Sequence, residues 1–220
     1  MKKAIMVFPA ITLLMVILIS SPSFSQMKMD SKKTATLEIS SSLTTNMRHL
    51  WVEHVMWTRN VILCLVDELP GTDQAVKRLL QNQIDLGNAI KPYYGEKAGS
   101  NLTELLTSHI TVSIEVVKAA KAGNKELLAT VNKSWYLNAD EITMFFANAN
   151  PNWKYEDIKI MMDEHLKLTT NEAMQRINKD YEADVIAFDK VNEEILKMSA
   201  MLAEGISKQF PSKIKTASTK

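Results

Sequence analysis

One cysteine in 220 residues excludes a disulfide framework within the chain and a CxxC-type zinc site. Six glycines and six prolines are too few for a turn-rich β-sandwich or a glycine-rich nucleotide fold. There is little excess charge: 26 basic against 25 acidic side chains give a net +1, so no basic field argues for nucleic acid. No Gly-x-Ser-x-Gly, His-Glu-x-x-His or phosphate-loop motif occurs, and no Glu-x-x-His pair of the di-iron carboxylate kind. What remains is ample for folding. Apolar residues make up 46% of the chain and charged residues 23%, enough to bury a core and too little charge for a disordered chain.

The N-terminus reads as an export signal. Lys2 and Lys3 precede an apolar run over 4–19, interrupted by Pro9 and Thr12. Small residues at Ser23 and Ser25 then suit cleavage before Gln26. The run is short for a membrane span of about 20 residues. Cleavage would leave 24 basic and 25 acidic groups, no stable membrane span, and a periplasmic or extracellular protein. Residues 26–42, rich in Ser, Thr and Lys, read as a flexible tether. Residues 43–210 read as a helical bundle domain, and 211–220 as a disordered tail.

Within 43–210 apolar residues recur at three and four spacing. Breakers at Pro70-Gly71, Pro92, Gly95, Gly99, Gly123 and Pro151 divide the run into helices near 43–69, 72–93, 100–122, 124–148, 154–177 and 180–208. The break near Asn178 has no Gly or Pro and rests on an internal repeat. His54, His109 and His165 lie 55 and 56 residues apart, each within an apolar stripe, and each is followed four residues later by a hydroxyl: Thr58, Ser113, Thr169. The following helices align on Val76, Val131 and Val185, with an amide seven residues past each valine: Gln83, Asn138, Asn192. That alignment makes the third copy two residues shorter and expects a tighter turn there. The expected fold is all-α, a six-helix up-and-down bundle of three αα-hairpins.

Each histidine and its amide would sit ~20 Å from the hairpin turn, so three of each would meet at mid-bundle depth. Two chemistries suit such a layer. In the first, the amides Gln83, Asn138 and Asn192 and the hydroxyls Thr58, Ser113 and Thr169 satisfy the buried imidazoles, or line a pocket for a small ligand. In the second, His54, His109 and His165 hold a divalent transition metal, zinc, iron or copper, with an open fourth position. Glu172 and Asp184 are the interior carboxylate candidates. His49 faces away from His54 and pairs with Glu53 as an i,i+4 surface contact. Ten of thirteen methionines lie past residue 25 and read as core filler. Asp85 and Asp140 share a position in two copies and read as surface or inter-hairpin contacts. The turns Lys91-Pro92-Tyr93-Tyr94-Gly95 and Asn150-Pro151-Asn152-Trp153 either rim a binding mouth or cap helices.

The run His49-Leu50-Trp51-Val52-Glu53-His54-Val55-Met56-Trp57-Thr58-Arg59-Asn60, with 82–95, Asn150-Pro151-Asn152-Trp153, Glu164-His165-Leu166 and Lys208-Gln209-Phe210-Pro211, resembles a family of small exported bacterial helical proteins of unknown activity. The resemblance spans about 47–211. Some members are labelled glycosyltransferases, but no sugar-nucleotide domain or DxD motif accompanies these residues. The resemblance implies a histidine in place of Asn192 in similar chains, which would leave a metal site here one ligand poorer. Together these readings expect an exported, non-enzymatic binding protein of unknown ligand. A His-centred metalloprotein and a cell-envelope interaction protein are the alternatives.

Overall fold

Helix-favouring residues, apolar three and four apart and with Gly and Pro confined to a few sites, form long helices of 23 residues or more. The computed structural model describes residues 24–216, with side chains over 42–214. The order is α1 (Phe24–Asp67), α2 (Thr72–Tyr94), α3 (Glu96–Lys121), α4 (Lys125–Ala149), α5 (Tyr155–Ile177), α6 (Tyr181–Gln209) and the short α7 (Pro211–Thr216). Among the described residues there is no strand. No helix there is long and apolar enough to cross a membrane. Each long helix packs on its neighbour in sequence, and α6 returns to α1. The odd helices α1, α3 and α5 also touch one another, so the three histidine-bearing helices face a common interior.

The turns recur in detail. Glu68, Gly123 and Lys179 each stand fourteen residues after a histidine, with φ of 55°, 66° and 60°. This left-handed residue lets the next amide reach back to the last open carbonyls: Leu69 N to Cys64 O, Asn124 N to Ala119 O and Asp180 N to Gln175 O, at 3.0–3.1 Å. Asn124 and Asp180 then cap the following helix, accepting from Leu127 N and Ala183 N at 3.1 and 3.0 Å. A Schellman-type stop followed by a side-chain cap therefore ends α5 without any glycine or proline.

Three expectations are corrected. The turn 178–180 is as long as 122–124, so the third copy is not shortened. Ala187, buried, takes the place expected of Val185, which is 53% exposed. Residues 26–42, expected as a tether, lie within α1, and nothing between 24 and 67 is a glycine or proline. The tail is ordered as far as Thr216. Ile214 is buried, and Lys213 Nζ donates to the carbonyls of Pro92 and Tyr93 at 2.6 and 3.1 Å. The export signal read over 1–25 falls almost wholly outside the described residues, as do residues 217–220.

At the end opposite the three turns, an aromatic cluster joins the helix ends. Tyr94 stacks edge-on against Phe210 with centroids 5.0 Å apart, and Trp153 meets Phe146 at 5.4 Å. Asn150, fully buried, donates to Tyr94 Oη, and Tyr94 donates to Gln209 Oε1, both at 2.9 Å. These turns cap helices and tie three connections together. Burial raises the Tyr94 phenol to about 12, so it stays a donor at any ordinary pH.

Candidate functional site

His54, His109 and His165 are all buried and line one central void of about 10 Å³ with Trp51, Met162 and Met198. The rings of His54 and His165 are 5.8 Å apart. The polar partner of each histidine comes from the next helix at a constant spacing of 29 residues: Gln83, Asn138 and Glu194.

The middle copy is complete. His109 Nδ1 meets Asn138 Oδ1 at 2.8 Å, and Asn138 Nδ2 donates to the Leu105 carbonyl at 3.1 Å, which fixes the amide orientation. An amide oxygen only accepts, so Nδ1 carries the proton. Nε2 then accepts from Trp135 Nε1 at 3.2 Å. Both nitrogens are occupied in one neutral tautomer, and burial holds the pKa down at about 3.

In the third copy, His165 Nδ1 donates to Glu194 Oε2 at 2.9 Å. Asn192, the expected amide, is half-buried two residues away and makes no such contact; with the unshortened turn its place in the repeat belongs to Glu194. The first copy is the least satisfied. Gln83 uses its amide nitrogen on the Leu79 carbonyl and Asn82 Oδ1, at 2.7 and 3.2 Å. Gln83 Oε1 and His54 Nδ1 have no hydrogen-bond partner among the described residues. Burial, with the rings of His165 and His109 nearby, drives His54 well below the ordinary imidazole range, while Gln83 and Asn82 pull weakly the other way.

The three-histidine metal centre expected from the spacing would need a free lone pair on each ring. The lone pair of His109 is already taken by Trp135. Among the described residues no group of three His, Cys, Asp or Glu side chains is arranged to hold a metal ion.

The interior carboxylates meet elsewhere. Glu172 and Asp184, each 1% exposed, share Arg59: Nη1 reaches Glu172 Oε1 and Asp184 Oδ1, both at 2.8 Å, and Nη2 reaches Asp184 Oδ2 at 3.1 Å. Arg59 also lies 4.8 Å over the Phe188 ring, and Arg176 joins Asp184 to Asp67. Burial raises the Glu172 carboxyl to about 7 against the opposing pull of Arg59.

The three hydroxyls do not close the imidazole network. Thr58 donates to its own helix at the His54 carbonyl and Ser113 to the Ile110 carbonyl, both at 2.8 Å. A hydroxyl one turn past the histidine finds those carbonyls closer than the ring. Thr169 Oγ1 has no hydrogen-bond partner among the described residues. All three instead line a cavity of about 300 Å³ between the histidine layer and the hairpin turns. Its wall is mostly apolar, including Val61, Ile62, Leu79, Val117 and Trp135. Two small apolar clusters, one around Val61 and Leu79 and one around Ile62, Val117 and Ala173, contribute side chains to this wall. Its lining along α4 is not buried before Trp135: Lys125 and Ala129 are exposed, and Leu128 and Asn132 half-buried.

Other candidates stay at the surface. His49 contacts Glu53 at 3.7 Å, Asp85 accepts from Gln81 at 3.0 Å, and Asp140 meets Lys159 across α4 and α5 at 3.2 Å. Cys64 is a free, buried thiol. Sequence reasoning missed Glu194, Asn82 and the clamp of Arg59 on the two carboxylates. A constant 29-residue spacing would have found the first. In comparisons with family models, curated proteins and solved structures, none matches the chain.

Proposed function

We propose that the chain is an exported, non-enzymatic binding protein. In this reading it is an up-and-down bundle of three αα-hairpins from one ancestral repeat, holding a small, largely apolar ligand between the histidine layer and the hairpin turns. The observation that carries this reading is the cavity of about 300 Å³, with its apolar wall and the exposed or half-buried residues that line it on α4. Closely packed interiors seldom keep a void much larger than water without use for it, and small-molecule sites begin near this volume. The mid-bundle histidines supply register. Both nitrogens of His109 and Nδ1 of His165 are engaged by side chains of the next helix.

Calorimetric titration with alkylbenzenes of increasing length tests the reading, beside an Ala120→Phe variant that fills the cavity. One binding site per chain, lost in a variant that still folds, is the expected result. Equal binding by both proteins, or none by either, refutes it.

A further inference from the structure

The cavity wall carries more information than its size. Of the side chains lining it, Lys125 alone is charged, and no carboxylate is among them. Lys125 is exposed and makes no ion pair among the described residues, and Glu126 beside it does not reach the cavity. Lys125 opens α4 at the turn end, whereas Thr58 and Trp135 mark the other end beside the histidine layer. Between them the wall runs eight residues along α1, from Thr58 to Leu65, and eight along α3, from Ser113 to Ala120, seven steps of rise in each. At 1.5 Å per residue the slot is about 10 Å long. An apolar cavity of about 150 Å³ takes one benzene, so this one suits roughly twice as many carbons. The slot is therefore long, largely apolar and neutral inside, with a cation outside any ion pair among the described residues, Lys125, at its turn end and a half-buried amide, Asn132, beside it.

Resting on the cavity reading above, we infer that the ligand is a single-chain anionic amphiphile: a carboxylate or similar head at Lys125, and an acyl tail of about eight to twelve carbons directed toward Trp135. A free acid and a chain released from lipid share this chemistry. A neutral or cationic head gains nothing at the mouth.

The test is titration calorimetry of the full chain with octanoate, decanoate, decanol and decyltrimethylammonium, all below micelle formation, on wild type and Lys125→Gln. The inference expects one decanoate per chain, bound about fourfold tighter per added methylene than octanoate. Decanol should bind up to about fivefold more weakly, and the cation more weakly still. Lys125→Gln should erase the preference for decanoate over decanol and leave decanol unchanged. Equal binding of decanoate and decanol, within twofold and in both proteins, overturns the anionic head while the cavity reading stands. Failure of all four amphiphiles overturns both.

Discussion

The chain Trp135–His109–Asn138–Leu105 is a sharp place to test whether the mid-bundle layer works as a satisfied network. Asn138→Leu keeps the volume but removes the acceptor for His109 Nδ1–H, now at 2.8 Å. A buried donor without a partner costs about 1–3 kcal/mol. The Leu105 carbonyl keeps its helical bond, so little is added there. His109→Leu orphans two groups, Trp135 Nε1 and Asn138 Oδ1, and should cost about 2–4 kcal/mol. The double variant orphans only Trp135 Nε1. It should therefore cost about 2–3 kcal/mol less than the sum of the singles. Urea denaturation measures all three, and melting temperatures should fall by roughly 2–4 °C per kcal/mol in a domain of this size. Additivity within about 0.5 kcal/mol would refute the network. The pH dependence gives a second reading. His109 is neutral when folded, with its pKa at about 3, whereas an unfolded histidine titrates near 6.5. As pH falls through that window the unfolded chain takes the proton first. The stability contribution is complete above about pH 6.5 and is lost toward pH 3, by up to about 1.4 kcal/mol per pH unit. His54, shifted the same way by burial, adds to the slope. His109→Leu should flatten it.

Four further outcomes are expected. Arg59→Met leaves Glu172 and Asp184 buried without their shared cation and should cost about 3–5 kcal/mol by urea denaturation, most of it recovered when both carboxylates are also made apolar. Glu172 behaves oppositely to the histidines: its folded pKa is raised to about 7, so its favourable contribution holds below about pH 4.5 and is lost as pH rises through 7. Glu172→Gln should accordingly compare better with wild type at pH 8 than at pH 5, and the reverse order would refute the assignment. At the turns, Lys179→Gly relieves a left-handed side chain at φ 60° and should raise stability by about 1 kcal/mol, whereas Gly205→Ala places a Cβ 1.9 Å from Trp153 Nε1 and should lower the melting temperature.

The helical class and the first four long helices were legible from spacing and breakers. Apolar residues three and four apart can bury a face only as a helix, and Gly or Pro marked most of the ends. The break at Asn178 was legible only through the repeat, because a lysine there takes the left-handed role that glycine takes at Gly123. The same repeat misled at the third amide. Matching residue type favoured Asn192 and a shortened turn, whereas the turns 122–124 and 178–180 are equal in length and a carboxyl group, Glu194, takes the position. Residues 26–42 were misread because Ser and Thr suggest a linker, yet nothing there stops a helix.

By itself, then, the chain's local pattern determined most of the helical residues and most of the helix ends, and that each odd helix carries a histidine in its apolar stripe. Those properties depend on neighbours three or four residues away. Only the tertiary structure decided which nitrogen of His109 bears its proton, that Arg59 clamps two carboxylates more than a hundred residues distant, and that the hydroxyls at 58, 113 and 169 face a cavity. Those properties depend on how helices remote in sequence approach one another. Cavities belong to that approach alone, since a void is what facing helices leave unfilled.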